Sequence, residues 1–238
     1  INLAIAGIAI GVVVLPQLSK HVHQKKKKKI SLIQNKALEL SMFLSIPASV
    51  ALVIGSEQII SALFGYGSFT ETSVFNSSNA LYYFGLGLPA FALIKVFSTF
   101  FFANHDTKTP FYISLISVLL NILISVFFFK DIGFIIIPIA TTISSWFNSL
   151  VLFIYLKNNN LFEFNETFFK QFVKIIFASI IMGIFFQYLI LLFENQLSYV
   201  YLFKFVYLLL CVLFAIIFYF AVSYFIKAFN YQDIKLKY

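Results

Sequence analysis

At 238 residues, 61% apolar and only 11% charged with a net charge of +8, the chain carries more apolar surface than a water-soluble fold of its length can bury. Apolar runs of about 20 residues match the hydrocarbon thickness of a bilayer, and a run such as 111–129 is apolar on nearly every side, which excludes the alternating strands of a transmembrane barrel. One cysteine, Cys211, excludes a disulfide framework and a cysteine-based metal cluster.

The expected fold is all-α: a polytopic transmembrane bundle of about seven spans, at about 1–19, 37–64, 79–103, 110–129, 132–156, 171–193 and 200–226. The chain opens on Ile1 inside an apolar segment and reads as a fragment. Gly7 and Gly11 in the first segment form an ordinary close-packing motif. The second segment exceeds one bilayer thickness; Pro47 is expected to bend it, with Gly55 and Glu57 near its far end, and a split into a span and a short interfacial helix is the alternative. Gly65, Gly67 and Ser68 in FGYGSF, followed by Thr70 to Ser73, make a polar loop before the third.

All seventeen basic residues are Lys. Numbering the connections puts fourteen of them on one side, including Lys20, Lys25 to Lys29, Lys36, Lys108, Lys157, Lys170, Lys174 and Lys227, and only Lys130 and Lys204 on the other. The positive excess marks the cytoplasm, so the C-terminus is expected there, and the FGYGSF loop, 130–133 and 194–199 outside. The run Lys25 to Lys29 is an orientation signal or a contact for anionic lipid heads, worth about 1 kcal/mol per Lys. It lacks the interleaved aromatics of a nucleic-acid site, and no nucleic-acid partner is expected. His21 and His23 beside it lack a third metal ligand.

Within the spans, Lys95 is the expensive residue. A Lys at the bilayer centre costs about 2.5–3.5 kcal/mol, so Lys95 faces a watery cavity or snorkels toward the end near Ala103, about 12 Å away. Ser114, Ser117, Asn121 and Ser125 share one face of the fourth span, and Thr141, Ser144, Ser145 and Asn148 repeat the pattern on the fifth. Such stripes line a hydrated cavity or small cation site, or act as glue between helices. The last two spans are apolar almost all round, with Ser179, Gly183 and Gln187 the one weak stripe, and look lipid-facing. Tyr199, Tyr201, Tyr224 and Tyr231 lie near their ends, where amphipathic rings prefer the headgroup zone. No nucleophile, base and orienting group converge, which favours a transporter or a structural membrane component over an enzyme.

The segments GIAIGVVVLPQLSK, LSIPASVALVIGSEQIISALFGYGSF and ALYYFGLGLPAFALIKVFSTFFFANHDTKTP resemble the C-terminal half of the MurJ (MviN) family of lipid II flippases. The resemblance covers about residues 1–160 by motif and 171–230 by hydropathy and position. It implies spans eight to fourteen of a fourteen-span exporter of the multidrug and polysaccharide-lipid superfamily: a second helical bundle at 1–156, a cytoplasmic linker at 157–170, two spans at 171–226 forming a lipid-tail groove, and a cytoplasmic tail at 227–238. It further implies alternating access that moves undecaprenyl-linked lipid II from the cytoplasmic to the periplasmic leaflet of the bacterial inner membrane for cell-wall biosynthesis. Membrane lipids and the missing N-terminal half are the other implied partners. By position, Lys95 in FALIKVF matches a cavity cation facing the pyrophosphate or sugar-peptide head. Asn121, Ser125, Ile137 (through its carbonyl) and Thr141 match a sodium site, with Ser125 where an acidic ligand can occur; Na+ is the one possible cofactor. The alternatives are an exporter of another lipid-linked polysaccharide or of drugs, and an inactive membrane fragment or scaffold.

Overall fold

The computed structural model describes residues 14–24 and 26–228. Gly7, Gly11, Lys25, Tyr231, Lys235 and Lys237 lie outside the described residues. The helices are α1 (Leu15–His23), α2 (Lys27–Ile54), α3 (Ser56–Phe64), α4 (Glu71–Ala103), α5 (Lys108–Ile132), α6 (Ile136–Asn158), α7 (Glu166–Leu192), the single turn α8 (Glu194–Leu197) and α9 (Lys204–Ile226). No strand occurs among the described residues. Five stretches are long and apolar enough to cross a membrane: Lys27–Ile54, Glu71–Ala103, Lys108–Asn158, Thr167–Leu192 and Lys204–Ile226. The third contains both α5 and α6, joined by a 3-10 turn at Gly133–Ile135. The protein is a multi-pass α-helical membrane protein. Six of the seven expected segments are met by described helices, and the first is described only from Val14 onward.

The long second segment splits. Its helix runs through Pro47 and ends at Gly55, where α3 takes over. A Cβ on Gly55 would lie 2.8 Å from Cε1 of Phe186, so the break falls where α7 needs backbone-close approach. α4 begins two turns earlier than hydropathy suggests, because Thr70 caps it by accepting from the Ser73 amide and Glu71 sits in its first, dipole-positive turn.

Neighbouring helices pack in a row, α5 to α6 to α4 to α2 to α7 to α9, with α1 against α2 and α4, and α3 bridging α4 and α9. The row is stitched where Pro89 interrupts α4. A proline cannot donate to the carbonyl four residues back, and lipid offers that carbonyl nothing. Ser49 of α2 instead donates to Gly85 O at 2.7 Å, while from α6 Thr142 donates to Tyr83 O at 2.7 Å and the Trp146 indole to Leu86 O at 3.1 Å. Gly85 and Gly87 are buried at these contacts; a Cβ on Gly87 would lie 2.9 Å from Thr142 Oγ1.

One core cluster lies at the Lys-rich end, around Leu18, Leu38, Phe97, Phe100, Leu156 and Phe162; the other joins α2, α7 and α9 around Phe43, Ile175, Phe186 and Tyr219. The connection 159–165 is an ordered strap. Gln34 and Asn35, each 2% exposed, donate to Leu161 O and Glu163 O at 2.8 Å, and Phe162 stacks on Phe100 at 5.8 Å. The last two spans are not uniformly lipid-facing: α7 is wedged between α2 and α9, with Ser179 fully buried and Gly183 against Val50 and Ile54.

Candidate functional site

An apolar cavity of about 350 Å³ lies between α2, α7 and α9, with α3 along one side. Pro47 and Ala51 of α2, Ile59 of α3, Met182 and Phe186 of α7, and Ala215 of α9 are among its lining residues. Small residues on α2 and α9 leave the space, and the Phe and Met side chains wall it. Among the described lining residues, Tyr219 alone has a polar side-chain oxygen, and its hydroxyl donates to Phe43 O at 2.8 Å. The cavity therefore suits a hydrocarbon chain and offers no group for chemistry. One of its walls is α2, so it is not built by the last two spans alone.

Beyond one end of this cavity sits Lys204, the first residue of α9 and 1% exposed. Its ammonium donates to Gly65 O and to Tyr199 O, both at 2.7 Å, and stands 4.4 Å and 4.7 Å from the ring centroids of Tyr66 and Tyr199. The Tyr199 hydroxyl donates in turn to Phe69 O at 2.7 Å. By sequence alone Lys204 is a charge at a loop and Tyr199 a headgroup anchor. The aromatic FGYGSF loop opposite a span-initial Lys was the available signal.

Lys95 lies on α4, the centre of the row, with its side chain exposed. Phe84 and Phe102, also exposed, lie on the same face at helical spacing, while Phe97, Phe100 and Phe101 on the opposite side are buried. No hydrogen bond or ion pair to its ammonium occurs among the described residues, so its charge is open to whatever faces this side of α4.

The two polar stripes meet. Asn121 of α5 donates to Thr141 Oγ1 at 3.0 Å and Ser144 Oγ at 3.4 Å of α6, and Thr141 donates to Ile137 O at 2.8 Å. Ser125 is one turn further along α5, with a buried hydroxyl that has no partner among the described residues. Three of the four sodium-matching residues are thus joined in one hydrogen-bonded chain. As arranged they do not fit a cation by themselves: Asn121 turns its NH2 inward, Thr141 spends its proton on Ile137 O, and the four oxygens carry no formal charge. What they do is hold α5 to α6.

At the Lys-rich end, His21 has its pKa held below the ordinary 6.5, first by burial and then by Lys29, Lys26 and Lys20. The end of α1 and the start of α2 therefore form one crowded basic corner, closed by the Lys26 amide on His21 O at 3.1 Å. No cluster of three or more metal-binding side chains occurs among the described residues.

Residues 1–210 match the sequence model of a family described as Lipid II flippase MurJ. The chain is 33% identical over 181 residues to a Rhizobium tropici protein named "Probable lipid II flippase MurJ", an alignment covering 76% of the chain and 34% of that protein. It is likewise 33% identical over 192 residues to a protein of the same name from Buchnera aphidicola subsp. Baizongia pistaciae, covering 81% of the chain and 36% of that protein. A solved structure described as "Lipid II flippase MurJ, inward closed conformation" superposes with a TM-score of 0.74 at 27% identity, over 98% of this chain and 45% of that one. The chain spans about a third of the length of the curated relatives it matches.

Proposed function

The chain belongs to the lipid II flippase MurJ family, and from that premise we propose that it forms one wall of a transporter moving lipid II from the cytoplasmic to the periplasmic leaflet by alternating access, for cell-wall biosynthesis. The observation that carries this reading is the apolar cavity of about 350 Å³ in the same row of helices as an outward-facing Lys95. The cavity takes the prenyl tail, which never has to leave an apolar setting. Lys95 meets the pyrophosphate or sugar-peptide head, where an open ammonium in a partly dehydrated cavity attracts an anion more strongly than in bulk water. No bond is made or broken, so the activity is transport and not catalysis.

On this reading the chain corresponds to spans eight to fourteen of the transporter, with a second bundle at 1–156, a connection at 157–170, the tail-binding spans at 171–226 and a cytoplasmic tail at 227–238. The upstream half supplies the second wall. The Lys-rich end and the C-terminus face the cytoplasm of a bacterial inner membrane, as the positive excess argues. Sodium at Asn121, Ser125, Ile137 and Thr141 is a separate proposal that needs ligands beyond these four, and no transport step runs through it; sodium dependence of transport abolished by Thr141→Val would support it, and sodium-independent transport would end it.

The test of the main reading is Lys95→Ala in the complete transporter. Lipid II translocation falls at least about tenfold with the protein level unchanged, the size expected for losing one charged contact to substrate. Unaltered translocation would remove Lys95 from the head-group site, and residues 1–238 flipping lipid II unaided would remove the two-walled scheme.

A further inference from the structure

We infer that Lys204 is a positioning residue for the lipid tail, acting through the outer wall of the apolar cavity; the inference rests on the reading of that cavity as the tail site. A lysine at the end of a membrane span ordinarily extends toward the headgroups and water. Lys204 instead turns inward and is 1% exposed, its ammonium shared between Gly65 O and Tyr199 O and faced by the rings of Tyr66 and Tyr199. A buried charge is a poor device for stability alone, since an apolar side chain of similar volume often does as well, and it is better suited to fixing one arrangement among several.

The arrangement it fixes is the rotation of α9. The buried residues Lys204, Leu208, Cys211, Ala215 and Tyr219 recur at helical spacing, so the ammonium lies on the same face as the side chains that α9 gives to the cavity. Tyr219, tied to Phe43 O, anchors that face a second time about 22 Å along the helix. Between these two ties Ala215 points into the cavity. The same ammonium holds the 65–69 loop, and through it the end of α3, whose Ile59 lines the cavity, against α9. Gly65 makes this possible: a Cβ there would lie 3.1 Å from Lys204 Nζ and 2.6 Å from Ser61 O.

The experiment compares lipid II with an analogue bearing the same head on a tail too short to fill the cavity, in the complete transporter reconstituted in vesicles. Lys204→Met raises the apparent KM for lipid II about fivefold with kcat nearly unchanged, and leaves the short-tailed analogue unaffected. Gly65→Ala, which keeps the lysine but displaces its acceptor, gives the same split. Equal losses for both substrates would make Lys204 a general structural staple and overturn the inference, as would no change in either variant. Ala215→Phe, which fills the cavity directly, separates the two levels. If it impairs lipid II while the Lys204 and Gly65 variants do not, only this inference falls; if it impairs neither substrate, the assignment of the cavity to the tail falls with it.

Discussion

The carbonyl oxygen of Phe43, which accepts the Tyr219 hydroxyl at 2.8 Å, is the one that Pro47 deprives of its helical donor. Proline at position 47 leaves the oxygen four residues back without an amide, and α9 supplies a phenol in its place. The same relation recurs between Pro89, Gly85 O and Ser49. In each case a neighbouring helix completes the broken one, so the prolines bond the row together.

Tyr219→Phe should therefore destabilise the protein by about 1 kcal/mol, within the range measured for hydrogen bonds between membrane helices. Pro47→Ala restores the helical amide, and in that background the Tyr219→Phe cost should shrink toward zero. Thermal unfolding in detergent of the two single variants and the double variant measures the coupling. Additive costs would mean that the phenol and the proline are unrelated.

Asn35 holds the strap from both directions, donating to Glu163 O at 2.8 Å and accepting from the Asn165 amide at 3.0 Å. Asn35→Ala strands two backbone groups and should cost about 1–3 kcal/mol. Limited proteolysis should then cut within 159–165 faster than in the parent protein.

Hydropathy located the spans because the spacing of charges along this chain follows bilayer thickness, and Gly55 was visible as a weak point in a segment too long for one crossing. It could not show that α7 is wedged inside the row, since lipid and protein are equally apolar and the sequence looks alike on every side. Only Ser179 and Gly183 carried that information, as small residues where backbones come close. The inward turn of Lys204 is hidden for a related reason: a charge at a span end looks like a border marker whether it points to water or to carbonyl oxygens. The strap at 159–165 had no periodicity to read, and its order comes from partners more than a hundred residues away.

At Gly183, a Cβ would lie 2.6 Å from Val50 Cγ1 and 3.0 Å from Ile54 Cδ1. Gly183→Ala should lower stability by about 1–3 kcal/mol through overpacking. Val50→Ala in the same chain should recover most of that loss, because it removes the atom that clashes. Melting temperatures of the three variants decide it.

His21 gives a pH dependence of defined sign. Its folded pKa lies below the ordinary 6.5, so around and below that pH the unfolded chain binds more protons than the folded one. Stability then rises with pH through this window and falls as the solution is acidified. His21→Gln should flatten the change between about pH 7 and pH 5, measured as the difference in melting temperature from the parent protein. A parent protein more stable at the acidic end would refute the assignment.

The strap at 159–165 also ties together helices that are far apart in the chain. α5 and α6 emerge from the ribosome before α7, yet α7 docks on α2, and the strap must pass the end of α4 to bring it there. Phe162 seats among Phe97, Phe100 and Phe153, and Gly183 of α7 is covered by Val50 and Ile54 of α2. A short non-helical segment thus fixes where α7 and α9 join the other helices, so a change confined to it would alter the packing of helices to which it does not itself belong.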